Sequence, residues 1–158
     1  MKKKIGIAVL VSAAALAILI LVYHGTQEPA QTNADEISLQ IQLDLKEDIG
    51  LLLIDSNMDG AVSSGGSSNA DKTMLKKDDC IYWPIERQND ENIPDNVTLS
   101  LRFTVVTEYC EPNYENTYPA DYQIPMDVIT FPASFGESYS IRITGDKTNG
   151  YQAVLEQG

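Results

Sequence analysis

The first 23 residues constrain the chain most. Lys2, Lys3 and Lys4 precede an uncharged, apolar run from Ile5 to Tyr23. As a helix rising about 1.5 Å per residue, this run would be roughly 28 Å long, close to the ~30 Å hydrocarbon core of a bilayer. Basic residues before a span favour a cytoplasmic N-terminus. The sequence therefore predicts a cytoplasmic basic tip (residues 1–4), a single-pass transmembrane signal anchor (residues 5–23) and a C-terminal part outside the cytoplasm.

A cleaved secretory signal is the alternative interpretation of the same segment. Apolar regions of signal peptides usually span about 7–15 residues and end near a small-x-small cleavage site. The nearest such site here, Thr32-Asn33-Ala34, lies well beyond Tyr23. Cleavage would release a secreted protein instead of an anchored one, but both interpretations place the C-terminal part outside the cytoplasm.

Residues 24–35 contain no large apolar side chain and include Pro29, which predicts a flexible stalk. His24, the single histidine of the chain, falls in this stalk. Nucleophilic hydrolysis that needs a His beside a Ser or Cys is therefore disfavoured. We expect a protein that is not an enzyme.

From residue 36 to 158 the hydrophobic pattern predicts an all-β domain. Apolar residues alternate with polar ones over 37–45, 97–109, 139–143 and 151–155, which is typical of strands with one buried face. Shorter candidates cover 49–54, 80–83 and 124–131, the first as a continuous apolar run, the second ending before Pro84 and the last at a sheet edge because of its prolines. Seven or eight short strands predict an antiparallel β-sandwich of the immunoglobulin-like or transthyretin-like kind.

Turn signals separate these strands. Asp55–Gly60 and Ser63–Asp71 are rich in Asp, Asn, Ser and Gly; the first predicts a turn and the second a loop. Asn149-Gly150 is suited to the positive φ angles of a hairpin turn between the last two strands.

The charge distribution limits the partners. The chain has a formal charge of −12, and all 23 Asp and Glu residues follow the apolar run. An acidic domain repels phosphate backbones, so a nucleic-acid partner is disfavoured. We expect an envelope or cell-surface protein as partner.

The two cysteines, Cys80 and Cys110, both fall in the part predicted to be outside, each at the end of a predicted strand. An oxidising compartment favours a disulfide between them, and two free thiols are the alternative.

Two further groups of residues are candidates for a site. Asp55, Asn57 and Asp59 match the first half of a D-x-N-x-D-G calcium loop, with Asp71 as a possible further ligand, whereas the second half of the motif fails. Tyr109, Tyr114, Tyr118 and Tyr122 mark a Tyr-rich segment that is a candidate binding surface, or else packs back on the sandwich.

No cofactor other than calcium is expected. The sequence therefore predicts a membrane-anchored, non-catalytic interaction or structural module, with a small-ligand or calcium-binding sensor as the alternative.

Overall fold

Nine strands in two sheets build the part of the chain that the computed structural model describes, residues 33–87, 93–111 and 118–156. A 3₁₀ helix, Ala120–Tyr122, precedes the sixth strand. The strands are β1 (Glu36–Leu45), β2 (Leu51–Met58), β3 (Ala61–Ser67), β4 (Cys80–Glu86), β5 (Asn96–Val106), β6 (Gln123–Pro125), β7 (Ile129–Ser134), β8 (Ser138–Asp146) and β9 (Gly150–Leu155).

One sheet has four strands and the other has five. The four-stranded sheet has the order β4-β1-β8-β9, and the five-stranded sheet has the order β3-β2-β5-β6, with β7 also paired to β5. All pairs are antiparallel except β1 with β8, which run parallel from Ser38 beside Ser138 to Leu45 beside Gly145. The prediction of a purely antiparallel sandwich was therefore wrong in this one pair. A hairpin cannot join parallel strands, and the residues between β1 and β8 include the whole five-stranded sheet.

The core lies between the two sheets. Inward side chains of both sheets form one buried cluster, which establishes the sandwich arrangement predicted from the alternating pattern. Burying each Leu, Ile or Phe of this kind contributes about 1.5–3 kcal/mol relative to leaving it exposed. The largest fully buried side chains are Phe103, Ile37, Leu39, Ile41, Leu43, Ile49, Leu52, Ile54, Leu99, Leu101, Ile141 and Ile143.

The segment predicted as a turn and a loop is mostly a hairpin. β2 continues through Asp55–Asn57 to Met58, and β3 occupies the Ser- and Gly-rich stretch that follows. The turn consists only of Asp59 and Gly60, whose φ angles are +49° and +107°. Two successive positive φ angles are the signature of a type I′ hairpin turn. The predicted turn is thus confirmed at Asp59-Gly60 but is shorter than expected. The predicted loop was wrong over residues 63–67, because pairing with β2 holds a segment of low intrinsic β propensity as a strand.

Two predicted boundaries at prolines also differ. β4 continues through Pro84 to Glu86, which an edge strand tolerates because only one of its sides pairs. The candidate over 124–131 divides into β6 and β7, which pair with opposite ends of β5. Pro125 ends β6, and Pro132 lies within β7 at the edge of the sheet.

The predicted hairpin of the last two strands is confirmed. β8 and β9 pair antiparallel, and Gly150 has a φ angle of +89°. The carboxylate of Asp146 accepts hydrogen bonds from the backbone N–H groups of Thr148 and Asn149, at 2.9 and 2.8 Å. The turn is therefore held by a side chain that precedes it.

Residues 33–87, 93–111 and 118–156 include no helix long and apolar enough to cross a membrane. The predicted basic tip, the signal anchor over 5–23 and most of the stalk over 24–35, including His24, lie outside the described residues.

Candidate functional site

The outward surface of the five-stranded sheet, here called the outer face, carries most of the candidate residues. On β2 the inward residues are buried, whereas Asp55 and Asn57 are exposed and Leu53 is half-buried. The same alternation on β5 turns Ser100 and Arg102 outward. On one side of β2, strand register places Leu53 opposite Thr104, Asp55 opposite Arg102 and Asn57 opposite Ser100 on β5. On the other side, Leu53 lies opposite Gly66, Asp55 opposite Ser64 and Asn57 opposite Val62 on β3.

Two grooves cross this outer face. The larger has a volume of about 510 Å³ and is lined by Leu53, Asp55, Ser64, Gly65, Gly66, Tyr118 and Gln123. The smaller, of about 230 Å³, is lined by Asp55, Ser56, Asn57, Val62, Ser100, Arg102 and Val128. Asp55 lines both grooves, so they adjoin at this residue. Val62 and Val128 are among the exposed large hydrophobic side chains of the described residues.

Asp55 is the acidic centre of the outer face. Its Oδ1 accepts a hydrogen bond of 2.7 Å from Ser64 Oγ on β3. Arg102 lies opposite it on β5, yet no Lys or Arg among the described residues forms an ion pair with Asp55. The carboxylate and the guanidinium therefore both face solvent and remain accessible to a partner.

Tyr118 lines the larger groove from the segment that precedes β6. Its backbone carbonyl accepts a 2.8 Å hydrogen bond from Gln123 Nε2, which ties the residue to the start of β6. Burial raises the pKa of the Tyr118 hydroxyl, and the neighbouring Cys110 and Tyr109 raise it further. Tyr118 is therefore held against the sandwich while part of its surface contributes to the groove.

The other predicted tyrosines have different places. Tyr109 follows β5, and Tyr122 ends the 3₁₀ helix, where its carbonyl accepts a 2.9 Å bond from Thr107 N–H. Tyr114 lies outside the described residues. Of the predicted Tyr-rich surface, the structure thus brings Tyr118 into the grooved face.

The predicted calcium ligands serve the β2–β3 hairpin. Asn57 Oδ1 accepts a 2.8 Å hydrogen bond from Gly60 N–H, and the Asp59 carboxylate lies 3.4 Å from Thr98 N. Asp71 accepts bonds from the backbone and hydroxyl of Thr73 in a separate loop. Within the described ranges, no three His, Cys, Asp or Glu side chains are grouped as metal ligands. Calcium binding by Asp55, Asn57 and Asp59 stays a prediction.

The predicted disulfide does not form in the structure, which has Cys80 and Cys110 as free cysteines. Cys80 begins the edge strand β4 of the four-stranded sheet and is exposed, whereas Cys110 follows β5 of the five-stranded sheet and is half-buried. A position beside a strand end in the sequence does not determine which strand ends are neighbours in the fold, so it did not imply that the two thiols are adjacent. Burial raises the pKa of the Cys110 thiol.

Sequence reasoning missed the contributions of Ser64, Gly65, Gly66 and Arg102. Arg102 could have been found, because the period-two pattern of its strand already assigns it to the wet side. The β3 residues carried no such signal, since residues 63–67 read Ser-Ser-Gly-Gly-Ser and show no alternation of apolar and polar side chains.

The comparisons with known proteins identify no family. No family model matches the chain, and no curated protein matches it. Among solved structures, pneumolysin is 12% identical with a TM-score of 0.38, covering 78% of this chain and 24% of that chain. A non-hemolytic pneumolysin from Streptococcus pneumoniae strain ST306 gives the same values.

Two further solved structures match at a similar level. A disulfide-locked mutant of intermedilysin with human CD59 is 9% identical with a TM-score of 0.38, covering 77% of this chain and 24% of that chain. The membrane-binding domain of pneumolysin is 9% identical with a TM-score of 0.32, covering 78% of this chain and 97% of that chain. The chain thus spans about a quarter of the length of these pneumolysin and intermedilysin chains. TM-scores this low do not establish a shared fold.

Proposed function

We propose that the protein is a membrane-anchored, extracytoplasmic β-sandwich that acts as a non-catalytic interaction module at the cell surface, with the outer face of the five-stranded sheet as its binding surface. The anchor is the predicted transmembrane helix over 5–23, and the domain is of the immunoglobulin-like or transthyretin-like kind. The observation that carries the proposal is the pair of grooves around Asp55, which gather residues from β2, β3, β5 and the segment before β6.

The chemistry of this face supports recognition rather than catalysis. The grooves combine one carboxylate, one guanidinium, hydroxyls and an aromatic ring with the exposed apolar side chains of Val62 and Val128. Such mixtures of apolar area and a few polar groups are typical of protein interfaces. Both grooves lie open on the surface of the sheet, whereas small-molecule sites usually enclose most of their ligand.

The outer side of the four-stranded sheet supplies a matched comparison. Val154 on β9 is 55% exposed, and Val128, which lies between β6 and β7 and lines the smaller groove, is 47% exposed, so the two valines have similar exposure at different places on the sandwich. A partner that binds the outer face must come close to Val128 and Tyr118 but not to Val154.

Site-specific photo-crosslinking of the full chain in its native envelope tests this proposal. Benzoylphenylalanine at Val128 or Tyr118 is expected to give a discrete adduct, whereas the same group at Val154 gives none. Adducts from Val154 alone, or from none of the three positions, would exclude the outer face as the binding surface. Mass spectrometry of the mature N-terminus tests the anchor, because a chain beginning near Asp35 would show that it is cleaved.

A further inference from the structure

The geometry of β3 points to a specific kind of partner: an extended peptide segment of another protein, carrying a Lys or Arg, that adds as a new strand to the free edge of β3. This inference rests on the proposed function, because it names the chemistry that the outer face binds.

The hairpin turn fixes which backbone groups of β3 are free. The type I′ turn Asp59-Gly60 makes Met58 and Ala61 a hydrogen-bonded pair, and such pairs alternate with non-bonded ones along an antiparallel ladder. The backbones of Ser63 and Gly65 therefore point to β2, and those of Val62, Ser64 and Gly66 point away from it. These outward groups take part in no backbone hydrogen bond with a loop among the described residues.

The edge of β3 lacks the devices that usually block further pairing. Proteins protect edges with prolines, charged side chains or bulges. Other edge strands of the sandwich contain Pro84 (β4), Pro125 (β6) and Pro132 (β7), whereas β3 consists of Ala, Val, Ser and Gly only. The edge strand β9 also lacks proline, but the larger groove lies beside β3.

The larger groove would receive side chains of such a segment. Ser64, Gly65 and Gly66 line it, so alternate side chains of a strand added beside β3 on the outer face would lie at this groove. Added strands bind by main-chain hydrogen bonds and gain specificity from pockets that receive alternate side chains. Leu53 and Tyr118 offer apolar contact to these side chains.

The negative charge of the Asp55 carboxylate favours a segment with a basic side chain. Asp55 is exposed, and its Oδ1 accepts the Ser64 hydroxyl, so a Lys or Arg of the incoming segment can pair with it. A second copy of this chain is disfavoured as occupant, because each copy has a formal charge of −12.

A proline at position 64 separates strand addition from other binding modes. Ser64→Pro removes one outward N–H that a new strand needs, at an edge position where the fold tolerates proline. Ser64→Ala is the matched control, since it also loses the hydroxyl that contacts Asp55 but keeps the N–H. Asp55→Asn tests the charge while keeping the shape.

The experiment measures fluorescence anisotropy of labelled octapeptides with the purified full chain in nanodiscs. The probe alternates Thr and Val with one central Lys; one comparison peptide has Glu instead of Lys, and another is N-methylated at alternate backbone nitrogens. We expect the Lys peptide to bind about tenfold more tightly than the Glu peptide, and Ser64→Pro to weaken it about tenfold while Ser64→Ala changes it less than about twofold. Asp55→Asn should abolish the preference for Lys.

Several results would overturn the inference. Equal binding of the N-methylated peptide, equal effects of Ser64→Pro and Ser64→Ala, or no binding of the Lys peptide would exclude strand addition. A concentration-dependent dimer that Ser64→Pro abolishes, measured by sedimentation, would identify a second copy as the occupant. If the crosslinks from Val128 and Tyr118 persist while peptide binding fails, the interaction function stands and only the strand mode is wrong.

Discussion

The indole of Trp83 on β4 lies directly against Gly65 on β3, so that a Cβ atom at position 65 would fall 2.7 Å from Cη2 of the indole. β4 and β3 are edge strands of different sheets. This contact therefore closes one side of the sandwich, and it requires a residue without a side chain at position 65.

Gly65→Ala is expected to destabilise the protein by about 1–3 kcal/mol, because the added methyl group must displace the indole. Trp83 is the only tryptophan, so a shift of its fluorescence emission in the folded state should accompany the loss. Urea unfolding measures the first effect and emission spectra the second. Ser64→Ala, one position away on the opposite side of the strand, should change neither quantity. Unchanged stability and emission in Gly65→Ala would contradict the contact.

Arg87 should be important for stability at the N-terminal end of the sandwich. Its guanidinium lies 4.0 Å from the centre of the Phe135 ring, and it donates to the Ile93 carbonyl and to Asp95 Oδ1. We expect Arg87→Ala to lower the free energy of unfolding by about 1–3 kcal/mol. Arg87→Lys should restore little of this loss, because an ammonium group is not planar and cannot both stack on the Phe135 ring and donate to two separate acceptors as the guanidinium does.

Arg102→Ala is the control for Arg87, because it also removes an arginine but from an exposed position on the outer face. Its effect on unfolding should stay below about 0.5 kcal/mol. Arg87 also forms ion pairs, from Nε to Asp35 Oδ1 at 3.4 Å and from Nη2 to Asp95 Oδ1 at 2.7 Å. If Arg87→Lys were as stable as the wild type, this charge pairing alone would explain the role of Arg87.

The stability of the β8–β9 hairpin should depend on acid pH through Asp146. Hydrogen bonds from the Asn149 side chain, and then from Lys46 Nζ at 3.0 Å, hold the pKa of this carboxyl well below its ordinary value of 3.8. As the pH falls below 3.8, the folded state therefore keeps the Asp146 carboxyl ionised, whereas the same carboxyl in the unfolded state takes up a proton. This contribution is fully present well above pH 3.8 and is lost progressively as the pH falls below it.

Asp146→Asn should accordingly differ most from the wild type near pH 7, and the difference should narrow between pH 4 and pH 2. Denaturant unfolding at several pH values measures this convergence. Asp78→Asn, at an exposed residue, controls for the loss of one negative charge. A gap between wild type and Asp146→Asn that is constant with pH would show that the hydrogen bonds do not depend on ionisation.

Cys80 provides a test of orientation. The thiol is free and exposed, whereas Cys110 is half-buried with a raised pKa, which lowers its thiolate fraction. In intact cells we expect a membrane-impermeant maleimide to label the full chain, and Cys80→Ser to remove most of the label while Cys110→Ser retains it. Labelling that requires permeabilised cells would place the domain in the cytoplasm.

Local pattern predicted some elements well. β1 and the β8–β9 hairpin follow from alternation and from Asn149-Gly150, because both depend only on neighbouring residues. β3 could not be predicted, since its position depends on pairing with β2 and on the Trp83 side chain from the other sheet. Tyr118 could be predicted as a candidate, because the sequence is rich in tyrosine around it. The role of Ser64 in strand addition could not, because only the register of the β2–β3 hairpin determines that its backbone N–H and C=O groups point away from β2.

The parallel pairing of β1 with β8 affects how the chain must fold. Ser38 and its partner Ser138 are 100 positions apart, and the strands of the five-stranded sheet are made between them. Contacts at such separation form slowly, because the chain loses much entropy before they form. β1 therefore emerges among the first strands but obtains its central neighbour among the last. If the domain crosses the membrane during synthesis, its four-stranded sheet can be completed only after nearly the whole chain has been exported, and until then the apolar face of β1 depends on β4 or on a chaperone for cover.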